Sequence, residues 1–322
     1  MEQIGTGEKR VKDPENTPNF WEILFLAVIN LIPLRARAWF FRLMGDFAYF
    51  LDERHRRIAL RNLTLAFPER GEQARRKIAR ASFRHVATVL AEFSFIPKLN
   101  RQKIEKYIWI EGLEHFRKAK EKKRGILFLT AHFGNWEWMA VSFPLLTGQP
   151  AAVVFRPIDN PFLERMVGRL RSWTGNQGIS KQKAMGRILR VLKEGGTVGI
   201  LLDQNVAWQE GVFVKFFGEW ACTNEGLALL ALKTGAAVLP GFNIRQPDGR
   251  YRVVFEPEIN LIRTGDKEHD VQANTELFTG VIERYVREYP EQWLWPHQRW
   301  KTRPWQSRKI KEPEKSLHES GS

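Results

Sequence analysis

A histidine and a carboxylate lie close together in the segment Leu129-Thr130-Ala131-His132-Phe133-Gly134-Asn135-Trp136-Glu137. A neutral imidazole can accept a proton near neutral pH, and a carboxylate bound to its second ring nitrogen fixes the tautomer and stabilises the imidazolium. His132 and Glu137 can therefore form a general-base pair. The same spacing also fits a packed, hydrogen-bonded histidine at the end of a core strand, so spacing alone does not decide between the two.

The apolar run before His132 predicts a buried strand, and Gly134 with Asn135 predicts a turn into a helix. Strands are predicted near 125–130, 151–156, 197–203, 237–244 and 251–256, with helices near 135–146, 160–173, 182–194, 224–234 and 270–289. Residues 36–122 are predicted to be mainly helical. The pattern indicates an α/β fold with a largely parallel central sheet flanked by helices, an N-terminal helical region and a closing hairpin at Asp248-Gly249.

Two more polar residues come at predicted strand ends. Arg156 ends the second strand and Asp203 ends the third. Because the carboxyl ends of parallel strands meet at one edge of a sheet, where open α/β sheets bind ligands, we expect His132, Arg156 and Asp203 to share an active face. A surface arginine before a turn, or a helix or turn cap at Asp203, would explain these residues without any function.

Six sequence blocks, taken in order, carry a family resemblance. They are Asn62-Leu63-Thr64-Leu65-Ala66-Phe67-Pro68-Glu69, the segment from His132 to Glu137, Phe155-Arg156-Pro157-Ile158-Asp159-Asn160-Pro161, Leu202-Asp203-Gln204-Asn205, Gly211-Val212-Phe213-Val214-Lys215-Phe216-Phe217-Gly218 and Trp295-Pro296-His297-Gln298-Arg299-Trp300-Lys301-Thr302-Arg303-Pro304. The set resembles the late acyltransferases of bacterial lipid A biosynthesis, the lauroyl and myristoyl transferases of the lysophospholipid acyltransferase superfamily. The resemblance covers roughly residues 20–305.

The resemblance implies an O-acyltransferase that moves a fatty acyl chain from acyl-acyl carrier protein to a hydroxyl of a phosphorylated glycolipid, a lipid A precursor. His132 would be the general base and Glu137 its hydrogen-bonding carboxylate. The acceptor hydroxyl would attack the thioester directly, so no serine or cysteine nucleophile is required. Amide groups at the start of the following helix are candidates to stabilise the oxyanion.

The resemblance also implies substrate-binding residues. Arg156 and Lys215 would orient the acceptor phosphate, and Asp203 and Gln204 would bind sugar hydroxyls. Glycerolipid branches of the superfamily usually carry a Glu-Gly-Thr-type segment where this chain has Asp203-Gln204-Asn205. This departure favours a lipid A-type acceptor over a glycerophospholipid.

The net charge of +15 and the pI near 10.0 require an anionic partner or surface. Lys and Arg far outnumber Asp and Glu between Arg35 and Arg84. Nucleic acid, an anionic membrane and phosphorylated or acidic substrates all fit this excess. The sequence has no zinc-finger spacing, RNA-recognition signature or basic helix with heptads, so no nucleic acid is expected as a partner.

An apolar segment at 20–34 precedes this basic region. It is continuously apolar for only about a dozen residues, and Asn30 and Pro33 interrupt its far end, whereas a spanning helix needs about 20. We expect a helix inserted into one leaflet, with the following arginines and aromatic residues (Arg35, Arg37, Trp39, Phe40, Phe41 and Arg42) at an anionic membrane surface. The alternative is a core helix. The expected location is the cytoplasmic face of the bacterial inner membrane.

The expected organisation has disordered ends at 1–19 and 306–322, a helical membrane-associating part at 20–122 and an α/β acyltransferase core at 123–305. No phosphate-binding, dinucleotide or metal motif is present, and the lone Cys222 excludes an intramolecular disulfide, so no cofactor or metal is expected. Two other functions remain open: an acyltransferase for another lysophospholipid or glycolipid, and a noncatalytic basic protein that binds membranes or nucleic acid.

Overall fold

The computed structural model describes residues 20–155, 157–181 and 184–304. Its helices are α1 (Phe20–Ile29), α2 (Leu34–Leu51), α3 (Glu53–Ala66), α4 (Glu72–Phe93), α5 (Arg101–Ile104), α6 (Leu113–Glu121), α7 (Trp136–Thr147), α8 (Pro161–Ser172), α9 (Ala184–Lys193), α10 (Gly226–Thr234) and α11 (Lys267–Glu288). Its strands are β1 (Ile108–Glu111), β2 (Ile126–Thr130), β3 (Ala152–Phe155), β4 (Gln177–Ser180), β5 (Thr197–Leu201), β6 (Gly211–Phe216), β7 (Glu219–Asn224), β8 (Ala237–Arg245) and β9 (Tyr251–Phe255). The two ends predicted to be disordered lie outside the described residues.

Seven strands form one sheet in the order β1-β9-β8-β2-β5-β3-β4. The neighbours from β8 to β4 are all parallel, β9 is antiparallel to β8 through the hairpin at Asp248-Gly249, and β1 is parallel to β9. The predicted α/β fold with a largely parallel sheet is confirmed. Every residue of β2 is buried, as expected for a strand covered on both faces.

Helices cover both faces of the sheet. Leu127 and Leu129 of β2 pack into one apolar layer with α9, α10 and α11, while Ile126 and Phe128 pack into the other with α6 and α7. This alternation follows from the two-residue period of a strand. The carboxyl ends of β2 and β5 therefore lie side by side between two packed layers, and a polar loop can follow each of them.

Three pieces of β-structure lie outside the predicted elements. β1 and β4 are four-residue edge strands, and β1 comes from the stretch predicted to be mainly helical. β6 and β7 form a separate antiparallel hairpin, which turns at Phe217 and Gly218 with positive φ angles of 55° and 77°. β1 and β4 carry too few residues for a hydrophobic period to be recognised in the sequence.

The bend between α1 and α2 is fixed by a buried arginine. Arg37 was expected at the membrane surface, but its side chain points inward and is only 1% exposed. Its guanidinium donates to Ser94 Oγ (2.6 Å), Asn30 Oδ1 (3.1 Å) and the Ile32 carbonyl (3.0 Å). Burial lowers the pKa of Arg37. The Arg37 side chain therefore holds α2 against the end of α4, whereas Arg35 is exposed.

Helices α3 and α4 hold the segment that follows α11. The Asn62 amide donates to the carbonyls of Trp295 (2.9 Å) and His297 (2.7 Å), and the Ser82 hydroxyl donates to the Trp293 carbonyl (2.7 Å). Two of the blocks that carried the family resemblance, 62–69 and 295–304, thus meet in space. Because this segment reaches the site described below, α3 and α4 help to position it.

We expect Asn62→Leu to destabilise the protein by about 1–3 kcal/mol or more, because a similar volume is kept while two carbonyl groups lose their donor. Denaturant unfolding of the detergent-solubilised protein measures this loss. Thr64→Ala, at an exposed position on the same helix, is the control and should stay within about 0.5 kcal/mol of the parent. Equal stability of Asn62→Leu and the parent would contradict the assigned role.

Candidate active site

His132 lies two residues beyond the end of β2, in a loop held by backbone contacts. Gly134 has a φ of +55°, and a Cβ at this position would collide with the backbone oxygen of Asn243. Its amide donates to the Gln292 carbonyl at 2.9 Å. The Asn135 side chain then caps α7 by accepting from the Trp138 amide at 2.9 Å. The loop conformation requires glycine at this position, and it directs the His132 side chain towards β5.

Asp203 is the carboxylate that binds His132. It lies two residues beyond the end of β5, and its Oδ1 is 2.9 Å from His132 Nδ1. Its Oδ2 accepts from the His132 backbone amide (3.0 Å) and from Trp293 Nε1 (2.8 Å). The Asp203 side chain is buried, whereas the His132 side chain is 21% exposed. With Nδ1–H donating to Asp203, His132 keeps the lone pair of Nε2 for a substrate proton.

Asp203 stays ionised in this setting. Burial alone would raise its pKa, but the adjacent His132, the hydrogen bonds from its ring and backbone, and the Trp293 indole hold the pKa at about 2. The carboxylate can therefore stabilise a protonated imidazole throughout the neutral range.

Glu137 was expected to be the partner of His132, and the structure places it elsewhere. Its carboxylate forms a two-point ion pair with Arg171 of α8, at 2.5 Å to Nη2 and 3.0 Å to Nε, and accepts from Trp136 Nε1 at 3.1 Å. Glu137 belongs to the first turn of α7, and the helix carries its side chain towards α8. Asp203, which was expected to bind sugar, takes the position expected of Glu137.

Gln204 lies beside the His132 ring. Its side-chain nitrogen is 3.4 Å from His132 Nε2. The backbone on either side is held by the segment after α11, since Arg299 donates to the Gln204 carbonyl (3.2 Å) and His297 Nε2 accepts from the Asn205 amide (3.0 Å). Sequence analysis gave His297 and Arg299 only a place in the family block. Their contacts position the Gln204-Asn205 turn.

Burial changes the pKa values of His297 and Arg299, the two side chains that hold this turn. It lowers the pKa of His297 to about 4, so this ring is neutral when it accepts from Asn205. It also lowers the pKa of Arg299 to about 10, while the nearby Asp203 carboxylate acts in the opposite direction. Arg299 therefore stays protonated at neutral pH and contributes positive charge behind the carboxylate.

A buried polar cluster supports the His132 loop from the other side. Glu92 of α4 accepts from Asn135 Nδ2 (2.8 Å) and the Tyr251 hydroxyl (2.5 Å), and Arg245 Nη2 lies 3.3 Å from it. Burial raises the pKa of Glu92, while the charge of Arg245 and the hydrogen bonds act in the opposite direction. This cluster joins residues more than 100 positions apart, and no local sequence signal could have revealed it.

A cavity of about 720 Å³ opens in front of His132 and Gln204. Its volume is within the range of ligand sites, about 300–1,000 Å³. Much of its wall is apolar, with side chains from both faces of the sheet, including Phe128, Met139, Phe143, Val153, Phe155, Ile188, Ile200, Leu227 and Leu230. The imidazole thus faces a largely apolar space of a size that can hold a hydrocarbon chain.

The other predicted binding residues fall in different places. Arg156 lies outside the described residues. Lys215 is on the exposed side of β6, where its amine donates to the Gly218 carbonyl (3.1 Å) and lies 4.2 Å from the centre of the Trp220 ring. It does not line the cavity. Across the described ranges, no three His, Cys, Asp or Glu side chains are grouped to hold a metal ion.

The sequence matches the family model for bacterial lipid A biosynthesis acyltransferases over residues 6–302. The chain belongs to this family. It is 32% identical to the lipid A biosynthesis lauroyltransferase of Escherichia coli K12 over 265 residues, which cover 81% of this chain and 84% of that enzyme. The palmitoleoyltransferase of the same strain is 28% identical, covering 89% of this chain and 93% of its own length. The myristoyltransferase is 26% identical, covering 89% and 88%.

Membership confirms the resemblance inferred from the ordered blocks, and it makes this lipid A biosynthesis acyltransferase an O-acyltransferase. The matched region includes both the helical N-terminal part and the sheet. The His132–Asp203 pair and the apolar cavity therefore belong to a family whose named members transfer fatty acyl chains.

The structure predicts different outcomes for the two carboxylates. In Asp203→Asn, the single amide oxygen is needed by the two donors at Oδ2, so the amide nitrogen faces His132 Nδ1 and forces the proton onto Nε2. We expect a loss of about 10⁴-fold in turnover with the fold retained, by analogy with the same change in serine protease triads. Glu137→Gln should lose far less turnover, because this change weakens only the ion pair with Arg171.

Acyl transfer by the purified variants, with circular dichroism as a check of folding, measures both losses. A larger loss for Glu137→Gln than for Asp203→Asn would show that Glu137 is the functional partner of His132.

Proposed function

We propose that this enzyme transfers a fatty acyl chain from acyl-acyl carrier protein to a hydroxyl of a lipid A precursor, with His132 as the general base. The observation that carries the proposal is the His132–Asp203 hydrogen bond of 2.9 Å beside an apolar cavity of about 720 Å³. A poised base next to an apolar space is the arrangement that an acyl-chain transfer requires.

The proposed chemistry uses one proton and one nucleophile. The acceptor hydroxyl attacks the thioester carbonyl while its proton passes to His132 Nε2, and Asp203 stabilises the imidazolium. The tetrahedral intermediate then collapses, the carbon–sulfur bond breaks, and His132 returns the proton to the leaving thiolate. The hydroxyl of the acceptor is the nucleophile, so no covalent acyl-enzyme is formed.

The first turn of α7 is the proposed site of the oxyanion. Asn135 caps only the Trp138 amide, and the Trp136 and Glu137 amides precede it beside the His132 loop. Free amide groups at a helix N-terminus favour negative charge. The ion pair between Glu137 and Arg171 neutralises a carboxylate that would otherwise oppose the oxyanion.

The acyl chain is assigned to the apolar cavity, and a phosphorylated glycolipid is the proposed acceptor. The named relatives differ in the acyl group they transfer: lauroyl, palmitoleoyl and myristoyl. Each buried methylene contributes about 0.8 kcal/mol, so the far end of the cavity has to supply the discrimination between chain lengths.

The enzyme is proposed to work at the cytoplasmic face of the bacterial inner membrane. The exposed apolar side chains of the described residues are concentrated on α1 and α2, and include Phe20, Trp21, Ile23, Phe25, Val28, Trp39, Phe40, Met44, Phe47, Phe50 and Leu51. In the part of the chain that the structure describes, no single helix is long and apolar enough to cross a membrane. The two helices meet these criteria only as a pair, and they are bent by 100°. This geometry supports insertion of the α1–α2 pair next to lipid headgroups.

His132→Ala should reduce turnover by about 10²–10⁴-fold, because the general base is lost. Acyl transfer from acyl-acyl carrier protein to a lipid A precursor, followed by mass spectrometry of the lipid, measures it. Parental turnover by a folded His132→Ala protein would contradict the mechanism. An altered phospholipid with unchanged lipid A in a deletion strain would contradict the assignment of a lipid A precursor as the acceptor.

The pH dependence of the activity near neutral pH should not come from Asp203 or His297. Asp203, with a pKa of about 2, and His297, with a pKa lowered by burial to about 4, do not change charge in this range. We therefore expect His297→Gln to show the same pH profile of kcat/KM near neutral pH as the parent. A pH profile that shifts in His297→Gln would show that His297 changes charge in that range.

Membrane binding should depend on the exposed face of α1 and α2. The triple change of Phe25, Phe40 and Phe47 to Ser should weaken flotation with vesicles that contain anionic lipid, because apolar area is removed without touching the sheet. Leu277→Ser, at an exposed apolar position of α11, is the control. Equal flotation of the triple variant and the control would show that this face is not a membrane surface.

A further inference from the structure

A second cavity lies beside the first, and basic side chains contribute to its lining. It measures about 440 Å³ and is lined by Arg54, His55, Ile58, Asn205, Leu294, Pro296, His297, Gln298 and Lys301. Asn205 lines both cavities. The residue before it, Gln204, contacts His132 Nε2, so a ligand in the second cavity has a short path to the proposed base.

The charged side chains of this cavity are available to a ligand. Arg54 and Lys301 are exposed, and in the described part of the chain neither forms an ion pair with a carboxylate. The acid beside Arg54 is Asp52, whose carboxylate is engaged by the amide (3.0 Å) and Nδ1 (2.6 Å) of His55. The cavity thus presents a guanidinium, an ammonium and the Gln298 amide, with one local carboxylate already hydrogen-bonded.

The surroundings indicate an amphiphilic ligand. Phe50 and Leu51, at the end of α2, are 57% and 80% exposed and come one turn before Arg54. Apolar side chains suited to lipid tails therefore adjoin a basic cavity suited to a headgroup. A planar guanidinium together with an ammonium is well matched to a phosphate monoester.

We propose that the second cavity binds a phosphate group of the glycolipid acceptor through Arg54 and Lys301, and directs the acceptor hydroxyl past Asn205 towards His132. The proposal rests on the proposed function and gives the acceptor a site separate from the acyl-chain cavity. It also assigns the phosphate contact to residues other than Lys215, which lies outside both cavities.

The test compares the double variant Arg54→Gln, Lys301→Gln with the control Arg57→Gln. Arg57 is exposed on the next turn of α3, pairs with Glu53 at 3.7 Å and does not line the cavity. Steady-state kinetics would use a phosphorylated glucosamine-based lipid A precursor, the same lipid after phosphatase treatment, and acyl-acyl carrier protein as donor.

We expect the double variant to raise KM for the phosphorylated acceptor by about tenfold or more, with kcat within about twofold of the parent. The dephosphorylated acceptor and the donor should keep their KM values, and Arg57→Gln should behave as the parent. An equal loss on both acceptors, or the same effect in Arg57→Gln, would overturn the proposal. A rise in the KM of the donor alone would show that the second cavity binds the phosphate of the carrier protein's prosthetic group. This result would also overturn the proposal.

Binding separates this proposal from the proposed function. The phosphorylated precursor in detergent micelles should bind His132→Ala protein more tightly than it binds the same protein with Arg54→Gln and Lys301→Gln added. If the parent enzyme transfers no acyl group although this difference is found, the proposed function fails and the phosphate site stands. Equal binding overturns the phosphate site whatever the activity.

Discussion

The hydrogen bond between His132 and Asp203 requires a carboxylate to be buried in an ionised state, and much of the structure exists to make that possible. Removing a carboxylate from water costs several kcal/mol unless donors and nearby charge compensate it. Three N–H groups point at Asp203, two of them from His132 and one from Trp293. The protonated Arg299 lies behind it. These compensating groups come from the loop after β2 and from the segment after α11, so neither region can move without exposing an uncompensated charge.

The N-terminal helices are tied into the same arrangement. α3 and α4 hold the segment that supplies Trp293, His297 and Arg299, through the Asn62 and Ser82 hydrogen bonds. α4 also supplies Glu92, which fixes the cap of α7. The helices that would lie against the membrane are therefore followed directly by the helices that support the base. The proposed placement of α2 at a lipid surface would set the orientation of the site relative to that surface.

Sequence reasoning identified five strands of the central sheet, missed the short edge strands and the β6–β7 hairpin, and was less successful with side-chain partners. The burial of β2 and β5 made His132 and Asp203 recognisable as neighbours at one sheet edge, because parallel strands impose that proximity. Glu137 was assigned to His132 because it is close in sequence, yet a helix start separates the two side chains and directs Glu137 to Arg171. The Glu92 cluster and the inward position of Arg37 depend on contacts between distant residues, which a single sequence does not encode in any local pattern.

The two sides of the apolar cavity are attached to the protein with unequal strength. β2 and β5, which carry His132 and Asp203, are aligned without a break from Ile126 with Thr197 to Thr130 with Leu201. β3 meets β5 only at Ala152 with Val198 and Val153 with Gly199, and beyond this point the sheet divides around the cavity. The half of the sheet formed by β3 and β4 is therefore joined to β5 by a much shorter backbone pairing than the one that joins β5 to β2. If the cavity takes a hydrocarbon chain as proposed, the wall that carries His132 and Asp203 is the one held by continuous pairing, and a local opening costs least at the opposite seam.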